Sequence, residues 1–94
     1  MKERIIRNEE RLNSVLLCIK KMEEALNEFN NNEHNINLLN KYYGSKNWFI
    51  DKEEYEDNKL SNIRAGVLSE DAVWNMNENI KELIFEMKKI IERF

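Results

Sequence analysis

The chain has no proline, two glycines, one cysteine and one histidine among its 94 residues. Without proline or a glycine-rich stretch, collagen-like, linker-like and polyproline segments are excluded. A lone cysteine forms no internal disulfide, and nothing in its use points to an oxidising compartment. Zinc sites take several His or Cys ligands, so the single His34 argues against a metal centre and reads as an exposed residue opening a short helix. A basic excess is missing too. Fifteen Lys and Arg stand against 18 Asp and Glu, a net charge of −3, so nucleic acid is not expected as a partner. The longest apolar run, Val15-Leu16-Leu17-Cys18-Ile19, closes at Lys20-Lys21. It is too short for a secretory core of about 7–15 residues or a membrane span of about 20. Lys2 also stands where a myristoylation pattern needs glycine. The expectation is a cytoplasmic protein with no membrane contact and no cofactor.

What the chain does have is helical patterning, within a length that suits one domain over residues 1–94. Ile5, Leu12, Ile19 and Leu26 recur seven apart, and Val15, Met22 and Phe29 follow three residues behind. Only Asn8 breaks this second series, so the spacing predicts one long helix over residues 3–29. Asn30-Asn31-Asn32 stops it and suits both a helix end and the next start. The C-terminal segment repeats the pattern, with Val73, Ile80, Met87 and Phe94 in one series and Met76, Leu83 and Ile90 in the other. This predicts a helix over about 70–93, capped by Ser69, with Leu68 and Val73 spaced as a hydrophobic staple. Gly66 is expected to take a backbone angle that other residues resist. Between the long helices, Ile36, Leu39 and Tyr43 predict a shorter helix over 33–43 that Gly44 ends. Periodicity then weakens, and Asp51 with Glu54 reads as a capping box for a short turn reaching Leu60. The expected architecture is all-α: two long antiparallel helices with heptad seams, a short middle helix and an ordered irregular segment, forming a small helical bundle. Pairing of the long helices between subunits satisfies the same pattern.

Chemistry-bearing constellations are sparse. Cys18, next to the seam position Ile19, reads as a buried small hydrophobe, and a nucleophilic role lacks a nearby base. From Asp51 to Asp57 five acids accompany one lysine, but Glu56 stands where a calcium-binding EF-hand loop requires glycine. Tyr42, Tyr43, Trp48, Phe49 and Tyr55 crowd into the same region, and Trp74 begins the last helix. Most of these aromatics are expected to anchor the middle segment to the helices. Any that stay exposed beside the acidic run have the composition of a protein-binding hot spot. Residues 1–30 hold six bases and six acids, a salt-bridged solvated surface and not a membrane-binding basic face.

Two stretches resemble a family of small bacterial proteins known as domain of unknown function 4298. One is Tyr42-Tyr43-Gly44-Ser45 followed by Trp48 and Asp51. The other is Gly66-Val67-Leu68-Ser69-Glu70-Asp71 leading into Val73-Trp74. The resemblance covers roughly residues 5–92. It implies a compact helical fold and no established activity.

The functional expectation is a non-enzymatic protein-binding module that inhibits or adapts a larger protein partner, of the immunity or anti-defence type. Trp48, Phe49 and Tyr55 would anchor the contact, while Asp51, Glu53, Glu54, Glu56 and Asp57 face basic residues of the partner. The asparagine-rich composition, with abundant Lys, Ile and Glu, fits an AT-rich bacterial or phage source. The alternative is a self-associating structural or regulatory bundle, such as a homodimer. An enzyme is not expected, since no nucleophile–base pair, metal set or phosphate-cradling glycine loop is present.

Overall fold

A computed structural model of the protein describes residues 1–57 and 62–94. The described residues form four α-helices: α1 (Lys2–Asn31), α2 (Glu33–Tyr42), α3 (Lys46–Glu56) and α4 (Ala72–Arg93). A short 3-10 turn, Gly66–Leu68, precedes α4, and no strand occurs among the described residues. The protein is all-α. Two compact units are present, Met1–Ile36 and Asn37–Phe94.

The first unit is dominated by α1, whose 30 residues rise about 45 Å at 1.5 Å each. Neither glycine nor proline interrupts it, and its end is set by Asn32. The Asn32 side-chain amide donates to the Glu28 carbonyl at 2.8 Å, and its backbone N–H donates to Phe29 O at 3.0 Å. The Asn32 carbonyl in turn accepts the Ile36 N–H at 2.9 Å, the first bond of α2. One asparagine thus closes one helix and opens the next, as expected, but in right-handed geometry with φ −94°. None of the α1 residues is buried. Cys18 is exposed, contrary to the buried role expected for it, because it lies on a flank of a seam that is itself uncovered.

In the second unit, Gly44 follows α2 with φ 76°, the left-handed angle that a C′ glycine supplies. Ser45 then starts α3: its extended backbone lets the side-chain oxygen accept the Trp48 N–H at 3.3 Å. The helix therefore begins six residues before the expected capping box at Asp51 and Glu54, which lie inside it. The expected end of that turn, Leu60, lies outside the described residues. Gly66 departs from expectation as well, since it does not take a left-handed angle and a Cβ there meets nothing within 4 Å. Before α4, Ser69 Oγ accepts the Ala72 N–H at 3.1 Å. Helix α4 thus starts two residues later than expected, with its N-cap at Asp71 and not at Ser69; Leu68 and Val73 are both buried, but they do not hold the N′ and N4 positions of the expected staple. Trp48, Leu68 and Val73, at 4%, 8% and 3% exposure, are the buried hydrophobic core.

Candidate functional site

The core of the second unit is a clasp between α3 and the segment entering α4. Trp48 sits at its centre. Its indole N–H donates to the Val67 carbonyl at 3.0 Å, which lets a large apolar ring be buried without leaving its polar edge unsatisfied. Tyr43 meets the indole edge-on, with ring centroids 5.4 Å apart and planes at 86°, and its hydroxyl donates to the Glu70 carbonyl. Lys52, one turn along α3, lies 5.1 Å from the Trp48 ring centroid and 3.2 Å from the Glu70 carboxylate. A second layer closes against α2. The Tyr42 hydroxyl donates to Asp51 Oδ2 at 2.6 Å, and Asn40 and Asn77 exchange side-chain amide bonds at 2.7 and 3.3 Å.

The Tyr42–Asp51 contact is the electrostatic feature of the clasp. The Tyr42 phenol is pushed up to about 12, chiefly because its proton is held in the bond to Asp51, with partial burial and the carboxylate's charge adding to it. Tyr42 is therefore a donor fixed in its neutral form and not a proton-transfer group at neutral pH.

The eight residues expected at a partner-binding face all lie on α3 or at its end, but they divide. Trp48 is buried and spent on the core, so it does not offer its ring to a partner. Asp51 and Tyr55 are half-buried, and Asp51 is committed to Tyr42. Phe49 is 60% exposed, stacked edge-on against Trp48 at 5.0 Å between centroids. Glu53, Glu54, Glu56 and Asp57 are exposed, and none forms an ion pair among the described residues. Phe49, Glu53 and Glu56 fall four and three residues apart, on one helix face. Ile50, also exposed beside Phe49, was not singled out by sequence reasoning; the unbroken Trp48-Phe49-Ile50 run was the available signal.

His34 is exposed on α2, and no group of His, Cys, Asp and Glu suited to hold a metal ion occurs among the described residues. No described helix is long and apolar enough to cross a membrane. Two shallow hollows run along α1, past Arg4, Ile5 and Asn8 in one case and Arg7, Arg11 and Val15 in the other, both open to solvent.

No curated protein and no solved structure matches the chain. The clasp nevertheless accounts for the two sequence stretches that stood out. Tyr43, Trp48 and Lys52 supply donors and rings, and Val67, Leu68, Glu70 and Val73 supply the carbonyls, the ion-pair partner and the apolar floor. Residues 5–90, nearly the whole chain, match the family described as domain of unknown function (DUF4298), and the protein belongs to it.

Proposed function

We propose that the protein is a non-enzymatic, cytoplasmic binding module that inhibits or adapts a larger protein, in the manner of immunity and anti-defence proteins. The observation that carries this reading is Phe49, left 60% exposed on a helix whose later acids Glu53, Glu54 and Glu56, with Asp57 at its C-cap, are exposed and unpaired among the described residues. An exposed aromatic beside uncompensated charge gives a partner both an anchor and a steering field. The clasp supports it by fixing α3 through Trp48, so the face is presented on a rigid element. The partner's matching surface is basic with an apolar notch.

The test is affinity purification of the tagged chain from its native cytoplasm, with the stoichiometry of any co-purifying protein measured. A single partner at fixed ratio is expected. Phe49→Ala should weaken its retention at least tenfold, and neutralising Glu53, Glu54 and Glu56 to Gln should remove most of its salt dependence. Retention unchanged in both variants overturns this face.

A second reading, self-association, is favoured by a different observation. The α1 seam residues Ile5, Leu12, Val15, Ile19, Met22, Leu26 and Phe29 are all between 44% and 58% exposed. An amphipathic helix draws most of its stability from burying such a stripe.

A further inference from the structure

The charges flanking the α1 seam are arranged for one particular occupant, and we propose that this is α1 of a second copy of the chain, parallel and in register. This specifies the self-association reading and rests on it.

In heptad terms Ile5, Leu12, Ile19 and Leu26 hold the a positions, and Asn8, Val15, Met22 and Phe29 hold d. The g flank carries Arg4, Arg11, Cys18 and Ala25, and the e flank carries Glu9, Leu16, Glu23 and Asn30, so that in a parallel pair Arg4–Glu9 is the one opposite-charge match and no g–e match sets like charges together. In a parallel pair each g residue faces the e residue five positions on in the other helix. Arg4 then meets Glu9 of the second copy, twice by symmetry. Neither Arg4 nor Glu9 has an ion-pair partner among the described residues, so both are available. With six bases and six acids in residues 1–30, two copies also approach without net repulsion.

The antiparallel arrangement of greatest overlap inverts this balance. It sets Glu9 against Glu23 of the second copy, like against like, twice by symmetry along the e–e flank, while the opposite g–g flank pairs Cys18 with Cys18 and Arg11 with Ala25. It also leaves Asn8 facing Leu26, a polar amide against an apolar layer. The parallel arrangement instead stacks Asn8 on Asn8, the known use of a lone core asparagine to fix register, with each amide exchanging the bonds it makes inside α1, to the Arg4 carbonyl at 2.8 Å and from the Arg11 guanidinium at 3.1 Å, for a bond to its counterpart. Helix α4 carries no such code: Asn79 and Glu86 on one flank would meet Ile84 and Ile91. The charge pattern therefore singles out α1.

The single native cysteine distinguishes the two arrangements. Antiparallel pairing brings Cys18 beside Cys18 of the second copy, whereas parallel pairing holds them on opposite flanks, beyond disulfide reach. The experiment measures molar mass by light scattering across a dilution series, then oxidises the wild type and a Cys18→Ser/Met22→Cys variant. Met22 holds a d position, so its replacement cysteines share one layer only if the helices are parallel. A mass twice 11.4 kDa, cross-linking of the variant and little cross-linking of the wild type is the expected result. Ready cross-linking of wild-type Cys18 with none in the variant overturns the parallel register while keeping self-association. A mass of 11.4 kDa at all concentrations overturns both. Charge reversal supplies a readout independent of cysteine. Glu9→Arg should raise the dimer dissociation constant about tenfold, and Arg4→Glu/Glu9→Arg should restore it. Failure of the double variant to restore it counts against the proposed flank pairing.

Discussion

A phenol that donates to a carboxylate gives up its proton reluctantly, and Tyr42 shows what that does to a small fold. Its ionisation is displaced from near 10 to about 12 in the folded chain by the bond to Asp51. The folded state thus favours the protonated phenol, so this contribution to stability is complete below about pH 10 and is lost as pH rises towards 12. Ultraviolet titration should show Tyr42 ionising late, and Asp51→Asn should lower its midpoint back towards 10. Trp48 is the residue whose loss matters most. Removing its ring from a core it shares with Leu68 and Val73 should cost about 3–5 kcal/mol, enough to unfold the second unit in a thermal melt. Tyr43→Phe, which keeps the edge-on ring and drops only the bond to the Glu70 carbonyl, should cost about 1 kcal/mol in the same melt. Sequence reasoning located the aromatic cluster but placed Trp48 on the binding face. A tryptophan just ahead of an acidic run has the same spelling whether its ring turns in or out. The deciding fact is the Val67 carbonyl 19 residues downstream, which awaits the indole N–H.

At the scale of the element, the two glycines should behave oppositely. Gly44 holds φ 76°, so Gly44→Ala should destabilise by about 1 kcal/mol, the steric cost of a side chain in the left-handed region. Gly66 has neither that angle nor a neighbour within 4 Å of a new Cβ. Gly66→Ala should leave stability unchanged or raise it by up to about 1 kcal/mol, through a stiffer unfolded chain. Paired denaturant titrations of the two variants check both. Helices α1, α2 and α4 were legible because their apolar residues recur at a helical period, with Asn32 and Gly44 marking two ends and Ser69, two residues short of the Asp71 cap, accepting the first amide of α4. Helix α3 was not legible. Its apolar residues Trp48, Phe49 and Ile50 are consecutive and so point around the helix, leaving no stripe to read. What makes it helical is the Ser45 cap and the bonds Trp48 and Lys52 make outside the helix.

At the scale of the whole molecule, apolar surface is distributed unevenly. The second unit closes on a buried tryptophan, while α1 buries no residue. Amide protection should follow the same division. In hydrogen exchange at low concentration, α1 should exchange far faster than the amides around Trp48 and Val73. If α1 pairs with a second copy, its protection should rise with protein concentration while that of the clasp stays constant. Concentration-independent exchange along α1 would count against the pairing. The heptad spelling disclosed the seam but not its partner, because a seam covered within a chain and one covered between chains are written alike. Under the pairing proposed above, the flanking charges Arg4 and Glu9 would carry that information.

One consequence of the clasp concerns how such a chain drifts over generations. Trp48 and Tyr43 both donate to main-chain oxygens, at Val67 and Glu70, and every residue type provides such an oxygen. The ring-bearing side is therefore spelled in letters that cannot change, while the accepting side is bound only to follow the same path. Relatives should keep the tyrosine and tryptophan; the indole bond reads no side chain at 67, whereas Glu70 also pairs with Lys52 through its carboxylate.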